Sequence, residues 1–143
     1  RLETIYKTND IEIINDSKAT NFDSTIASIN SINGSIILIS GGRIKDGDYK
    51  SWVNIIIKKV DTIFLYGESS ELLKKYLQEG GYTKKLFIFN LLLELVDEVV
   101  KYSKKENKKV ILFSPSCSSF DQFKNYEERG NLFKTLISKS YLN

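Results

Sequence analysis

The chain has no histidine, no methionine, and one cysteine among its 143 residues. Without histidine there is no Cys-His pair, no Ser-His-Asp triad and no histidine-held metal, which excludes those routes to nucleophilic and metal-assisted chemistry. A lone Cys117 excludes an internal disulfide framework and fits a reducing compartment. With no base to activate it, Cys117 reads as a small packing residue in a tight turn. No apolar run approaches the roughly 20 residues that span a bilayer, and Arg1-Leu2-Glu3 lacks the apolar centre of a secretion signal. A soluble, cytoplasmic protein without membrane contact is expected. Because the sequence starts on arginine and lacks methionine, it is expected to be an excised domain or a processed piece. Charge of one sign is also scarce: 21 basic residues face 18 acidic ones, for a net charge of +3. The basic residues are scattered in pairs among acidic ones, which describes a solvated surface and not a nucleic-acid stripe. Nor is there the glycine, four residues, glycine, lysine and Ser/Thr of a phosphate loop, so this chain alone should not hold a nucleoside triphosphate in the usual way.

What is present is an α/β pattern. Four short apolar runs, Ile36 to Ile39, Thr62 to Tyr66, Leu86 to Phe89 and Val110 to Phe113, are continuous instead of alternating. That pattern suits parallel strands covered on both faces. Helical patterns lie between them, at about 22–32, 48–59, 69–79 and 91–105, with a last helix expected at about 120–139. Leu91, Leu92, Leu95, Val96, Val99 and Val100 recur at three- and four-residue spacing, the mark of one buried stripe. Two further strands, Leu2 to Tyr6 and Ile11 to Ile14, are separated only by Lys7-Thr8-Asn9-Asp10, which suits an antiparallel hairpin. The expected fold is a Rossmann-like three-layer α/β domain, mostly parallel with an antiparallel hairpin at its start, formed by residues 1–143 as one unit. At 41% hydrophobic content the chain is long enough to bury its own core.

In such a sheet, ligands bind beyond the carboxyl ends of the strands. Three polar segments fall there. Asp16 to Asn21 offers a carboxylate, an ammonium and two hydroxyls just before a helix, a setting for a ribose, a phosphate or a carboxylate. The same residues equally suit turn and cap roles. Gly41-Gly42 permits a sharp turn with Lys45 beyond it, either plain turn chemistry or a charge directed at a ligand. In the third segment Ser119 precedes Gln122 by three residues, a capping-box spacing at the expected start of the last helix, and its hydroxyl also suits a substrate carboxylate. Trp52 and the strand-borne Phe and Tyr residues read as core.

Asn15-Asp16-Ser17-Lys18-Ala19-Thr20-Asn21, then Gly41-Gly42-x-x-Lys45, then Ser114-Pro115-x-Cys117-x-Ser119-Phe120-Asp121-x-Phe123-x-x-Tyr126-x-x-Arg129-Gly130, taken in this order and spacing, resemble the carboxyl-terminal domain of the Mur ligases. The resemblance runs from Arg1 to about Ile137 and is nearest the D-glutamate-adding branch. It implies an ATP-dependent, amide-forming ligase of peptidoglycan synthesis. ATP would phosphorylate the carboxylate of UDP-N-acetylmuramoyl-L-alanine, and the amine of D-glutamate would attack the acyl phosphate. The implied D-glutamate contacts are Thr20, Lys45, Ser119, Phe120 and Tyr126. Arg1, Asp16 and Lys18 would face ATP, with Mg2+ held mainly by the amino-terminal and central domains that the family carries. No residue of this chain is implied to be catalytic or to bind a metal, and the isolated chain is expected to be inactive. Tyrosine stands at 126 where the family commonly has phenylalanine, phenylalanine at 113 where leucine is usual, and Arg43-Ile44 fills a variable stretch. Competing readings are another Mur-type or folylpolyglutamate ligase domain, a stand-alone nucleotide- or RNA-binding module, and a purely structural domain.

Overall fold

The computed structural model describes residues 2–141. In chain order the elements are β1 (Glu3–Lys7), β2 (Ile11–Asn15), α1 (Phe22–Asn30), β3 (Ser35–Gly41), α2 (Tyr49–Lys59), β4 (Val60–Tyr66), α3 (Ser70–Glu79), β5 (Lys85–Phe89), α4 (Leu92–Ser103), β6 (Lys109–Ser116) and α5 (Tyr126–Tyr141). The strands form one sheet in the order β1-β2-β6-β3-β4-β5. β1 pairs antiparallel with β2, and every other pairing is parallel. The expected hairpin and mostly parallel sheet are both present.

The continuous isoleucine run of β3 has its physical reason in the layers. Ile36 and Leu38 point into one apolar cluster with Phe22, Ile29, Trp52, Val53, Ile56, Leu73 and Leu77 of α1, α2 and α3. Ile37 and Ile39 point into a second cluster with the stripe of α4 and with Phe133 and Ile137 of α5. Each Leu, Ile or Val buried in this way contributes about 1.5–3 kcal/mol relative to exposure. Local chemistry starts the helices where the strands' loops end: Asn21 Oδ1 accepts from the Ser24 amide at 2.9 Å, and Asp48 Oδ1 from the Ser51 amide at 3.0 Å.

β3, β4 and β5 step outward in one direction with α2 and α3 on one face. The chain then returns through α4 on the opposite face and lays β6 between β2 and β3. A reversal of direction combined with a change of face is what a constant crossover hand requires. The loops leaving β2 and β3 therefore go to one face while the loop leaving β6 goes to the other, which opens a crevice at the strand ends.

The last helix differs from expectation. It begins at Tyr126, not near 120, and Asn125 caps it by accepting from the Glu128 amide at 2.8 Å. Ser119 is not its cap. The Ser119 carbonyl instead accepts from the amides of Gln122 and Phe123 in a separate turn, because residues 117–125 are needed to carry the chain over the top of the sheet.

Candidate functional site

Three loops meet above β2, β6 and β3, and backbone hydrogen bonds tie them to one another. Arg43 and Ser118 exchange a pair of N–H···O bonds of 3.0 and 2.9 Å, joining the loop after β3 to the loop after β6. The Ser116 amide donates to the Ala19 carbonyl at 3.0 Å, joining the loop after β6 to the loop after β2. The diglycine is dictated by this closeness. Gly42 has φ +124°, and a Cβ there would lie 2.3 Å from the Ser118 carbonyl oxygen; at Gly41, φ +152°, it would lie 2.1 Å from that of Tyr66.

The arrangement brings Thr20 and Lys45 together, with Lys45 Nζ donating to Thr20 Oγ1 at 3.3 Å. Lys18 and Tyr126 line a second opening, a cleft of about 210 Å3 shared with Asn15, Ser17, Glu127 and Gly130. Lys18 and Lys45 are exposed. Phe120, at 61% exposure, is the most exposed large apolar side chain among the described residues, whereas Ser119 beside it is buried. The loops at this end of the sheet thus carry two exposed ammonium groups, a hydroxyl beside one of them, and an exposed aromatic ring. Their chemistry suits a small anion, because cationic heads at strand ends attract carboxylate or phosphate.

Asp16 differs from its expected outward position. Its carboxylate is fully buried, and Oδ2 accepts from Ser28 Oγ at 2.5 Å and Ser114 Oγ at 2.8 Å. The residue expected to face a ribose is therefore turned inward and orders the loop that presents Lys18 and Thr20. Arg1, expected toward phosphate, lies outside the described residues.

Arg129 is the residue that sequence reasoning passed over. It is completely buried; Nε donates to Ser17 Oγ at 3.0 Å, Nη1 to the Cys117 carbonyl at 3.0 Å and Nη2 to the Ser17 carbonyl at 2.7 Å. Ser17 Oγ in turn donates to the Tyr126 carbonyl at 2.8 Å. One guanidinium therefore clamps two of the three loops to the start of α5. The signal was readable: Arg129, Phe133 and Ile137 are four apart, which places a charge on the buried stripe of its helix.

Cys117 is buried among these groups, and burial pushes its thiol up to about 12 against the opposing charge of Arg129. The thiol stays protonated throughout the neutral and mildly alkaline range, and only the thiolate is a nucleophile. Iodoacetamide at pH 8 is expected to leave Cys117 unmodified in the folded chain and to alkylate it fully in denaturant, read by intact mass. Rapid labelling of the folded chain would contradict the buried setting.

Comparison with known proteins is consistent with this geometry. The family model "Mur ligase, glutamate ligase domain" matches residues 1–117. Among curated relatives, a UDP-N-acetylmuramoylalanine–D-glutamate ligase of Prochlorococcus marinus (strain MIT 9515) is 57% identical over 99% of this chain. One of strain MIT 9312 is 60% identical over 97%. The chain spans about 30% of the length of each of these relatives. Among solved structures, the UDP-N-acetylmuramate–alanine ligase of Thermotoga maritima aligns with TM-score 0.59 at 12% identity, over 98% of this chain and 30% of that one. The folylpolyglutamate synthase of Mycobacterium tuberculosis, complexed with ADP and AMPPCP, aligns with TM-score 0.61 at 13% identity, over 93% of this chain and 31% of that one. These distant likenesses speak to the fold. With the family match covering all six strands of the sheet and two of the three rim loops, the chain belongs to the Mur ligase family and carries its glutamate ligase domain.

Proposed function

We propose that residues 1–143 are the C-terminal, amino-acid-binding domain of a cytoplasmic, ATP-dependent ligase that joins D-glutamate to UDP-N-acetylmuramoyl-L-alanine in peptidoglycan synthesis. The observation that carries this reading is the contact between Thr20 and Lys45 on a rim built from three separate loops, which gives a carboxylate both a cation and a hydroxyl. The names of the relatives, 57% and 60% identical, support the choice of amino acid.

On this reading, ATP transfers its terminal phosphoryl group to the carboxylate of the nucleotide-linked alanine, releasing ADP. The amine of D-glutamate attacks the resulting acyl carbon, phosphate leaves, and the nitrogen loses a proton to give the amide. Lys45 pairs with a carboxylate of D-glutamate, Thr20 offers a hydroxyl, and Ser119, buried in the free domain, offers its own once the loop of Phe120 yields to the substrate. The backbone and rings of Phe120 and Tyr126 form the wall. Arg1 and Lys18 serve the ATP phosphates, and Asp16 holds the loop that carries Lys18 on the nucleotide side. Mg2+ falls mainly to the remaining domains of the longer protein. The domain acts by positioning the amine, and well-oriented reactants gain effective molarities on the order of 10⁵ M or more.

The test is ADP release by the full-length protein with UDP-N-acetylmuramoyl-L-alanine and, in turn, D-glutamate, L-glutamate, meso-diaminopimelate and L-lysine. Turnover dependent on D-glutamate is expected, and residues 1–143 alone are expected to give none. Turnover with another amino acid in place of D-glutamate would move the domain to a different acceptor.

A further inference from the structure

Beneath the rim lies a chain of buried hydroxyls whose direction is fixed at both ends. The indole of Trp52, the one tryptophan, can only donate, and Nε1–H donates to Ser116 Oγ at 2.9 Å. Ser116 Oγ donates to Thr25 Oγ1 at 3.0 Å, Thr25 Oγ1 meets Ser114 Oγ at 2.8 Å, and Ser114 Oγ donates to Asp16 Oδ2 at 2.8 Å. The carboxylate only accepts when ionised, so the run of hydroxyls leads from a fixed donor at Trp52 to a fixed acceptor at Asp16. Bonds aligned in one sense polarise one another in a low-dielectric interior, and a break in the middle weakens those on both sides.

Ser116 is the first hydroxyl of this relay, next to Trp52, and has an unusual conformation. Its φ is +66°, the left-handed region that a non-glycine residue seldom adopts. That conformation follows Pro115 and turns the hydroxyl down into the core, where it also meets Ser40 Oγ at 2.7 Å. The amide of the same residue bonds Ala19, next to Thr20, and three residues further on stands Ser119. Backbone held in a sparsely populated region persists only where the surroundings over-determine it.

We propose that Ser116 is a positioning residue for the amino-acid substrate: its hydroxyl, held between Trp52 and Thr25, fixes the backbone whose amide ties the loop of Ser119 and Phe120 to the loop of Thr20. This rests on the D-glutamate reading of the site. The relay touches none of the reacting atoms; it acts through the two loops that do. Its polar bonds are costly to leave half-made in a buried setting, so removing the Ser116 hydroxyl should let the loops drift and not merely lower stability.

The test uses the full-length ligase and the variants Ser116→Ala and Ser116→Gly. Both delete the hydroxyl, but glycine also relaxes the left-handed backbone, so it remains usable should alanine fail to fold. Both are expected to raise KM for D-glutamate on the order of tenfold, since small displacements of positioning groups cost that much or more. KM for UDP-N-acetylmuramoyl-L-alanine, bound by the rest of the protein, should stay within about twofold on the same argument. The indole N–H resonance of Trp52, assigned by its loss in Trp52→Phe, should move upfield in both variants. An unchanged KM for D-glutamate in either folded variant overturns the proposal, as does an equal rise in the KM of both substrates. Wild-type enzyme without D-glutamate-dependent ADP release would instead overturn the function on which the proposal rests.

Discussion

Arg129→Ala is expected to destabilise the chain by about 3–5 kcal/mol in urea unfolding. The substitution removes three hydrogen bonds and leaves the buried carbonyls of Ser17 and Cys117 without their donor. Each buried polar group left unsatisfied costs about 1–3 kcal/mol, and the space vacated by the side chain adds to this. Against a total stability of about 5–15 kcal/mol for a domain of this kind, that is a large fraction. Arg129→Lys should recover less than half of the loss. A lysine offers one point charge where the guanidinium reaches Ser17 and Cys117 with separate arms of a rigid fork. If Arg129→Ala unfolds within about 1 kcal/mol of wild type, the guanidinium is not what holds the loops to α5.

Lys45→Ala in the full-length ligase is expected to raise KM for D-glutamate about ten- to a hundredfold and to leave KM for ATP nearly unchanged. A hydrogen bond to a charged partner is worth about 1.5–3 kcal/mol, and tenfold in affinity corresponds to about 1.4 kcal/mol. Lys45 is exposed and makes its contact with Thr20 at 3.3 Å, so little of the fold depends on it and its effect should appear in binding and not in stability. Lys45→Arg should not restore full affinity, because the wider planar head displaces the hydroxyl geometry at Thr20. An unaltered KM for D-glutamate in Lys45→Ala would remove the residue from the site. Arg129 and Lys45 thus differ in setting though both are cations: one is buried and holds the loops together, and the other is exposed beside Thr20.

Strand and helix identity was readable because the burial pattern is written directly into residue order. The unbroken Ile36 to Ile39 run signals two covered faces, and the three- and four-residue spacing from Leu92 to Val100 signals one; Leu91, counted in that stripe from the sequence, is exposed and precedes the helix. The convergence of the loops was readable at the level of topology. What lay hidden were contacts made by residues far apart in sequence. Nothing local marks Ser114 and Ser28 as partners of Asp16, so a carboxylate in a polar loop was read as facing outward when it faces inward. The start of α5 was misplaced for a related reason. Ser119 and Gln122 carry capping-box spacing, but the chain spends that stretch on a turn, with Gln122 Nε2 donating to the Asn90 carbonyl at 2.7 Å and Asp121 Oδ2 accepting from the Glu68 amide at 3.0 Å. Long-range partners overrode a local signal.

The placement of β6 has a consequence for how the protein is made. It pairs with β2 on one side and β3 on the other, and in the described sheet nothing else joins the pair β1-β2 to the trio β3-β4-β5. A growing chain that has not yet delivered Lys109–Ser116 holds two unfinished half-sheets with bare edges, a state prone to mispairing. The last strand of this sheet to leave the ribosome is thus the keystone, and the meeting of the three loops comes into being in the same event that seals the sheet.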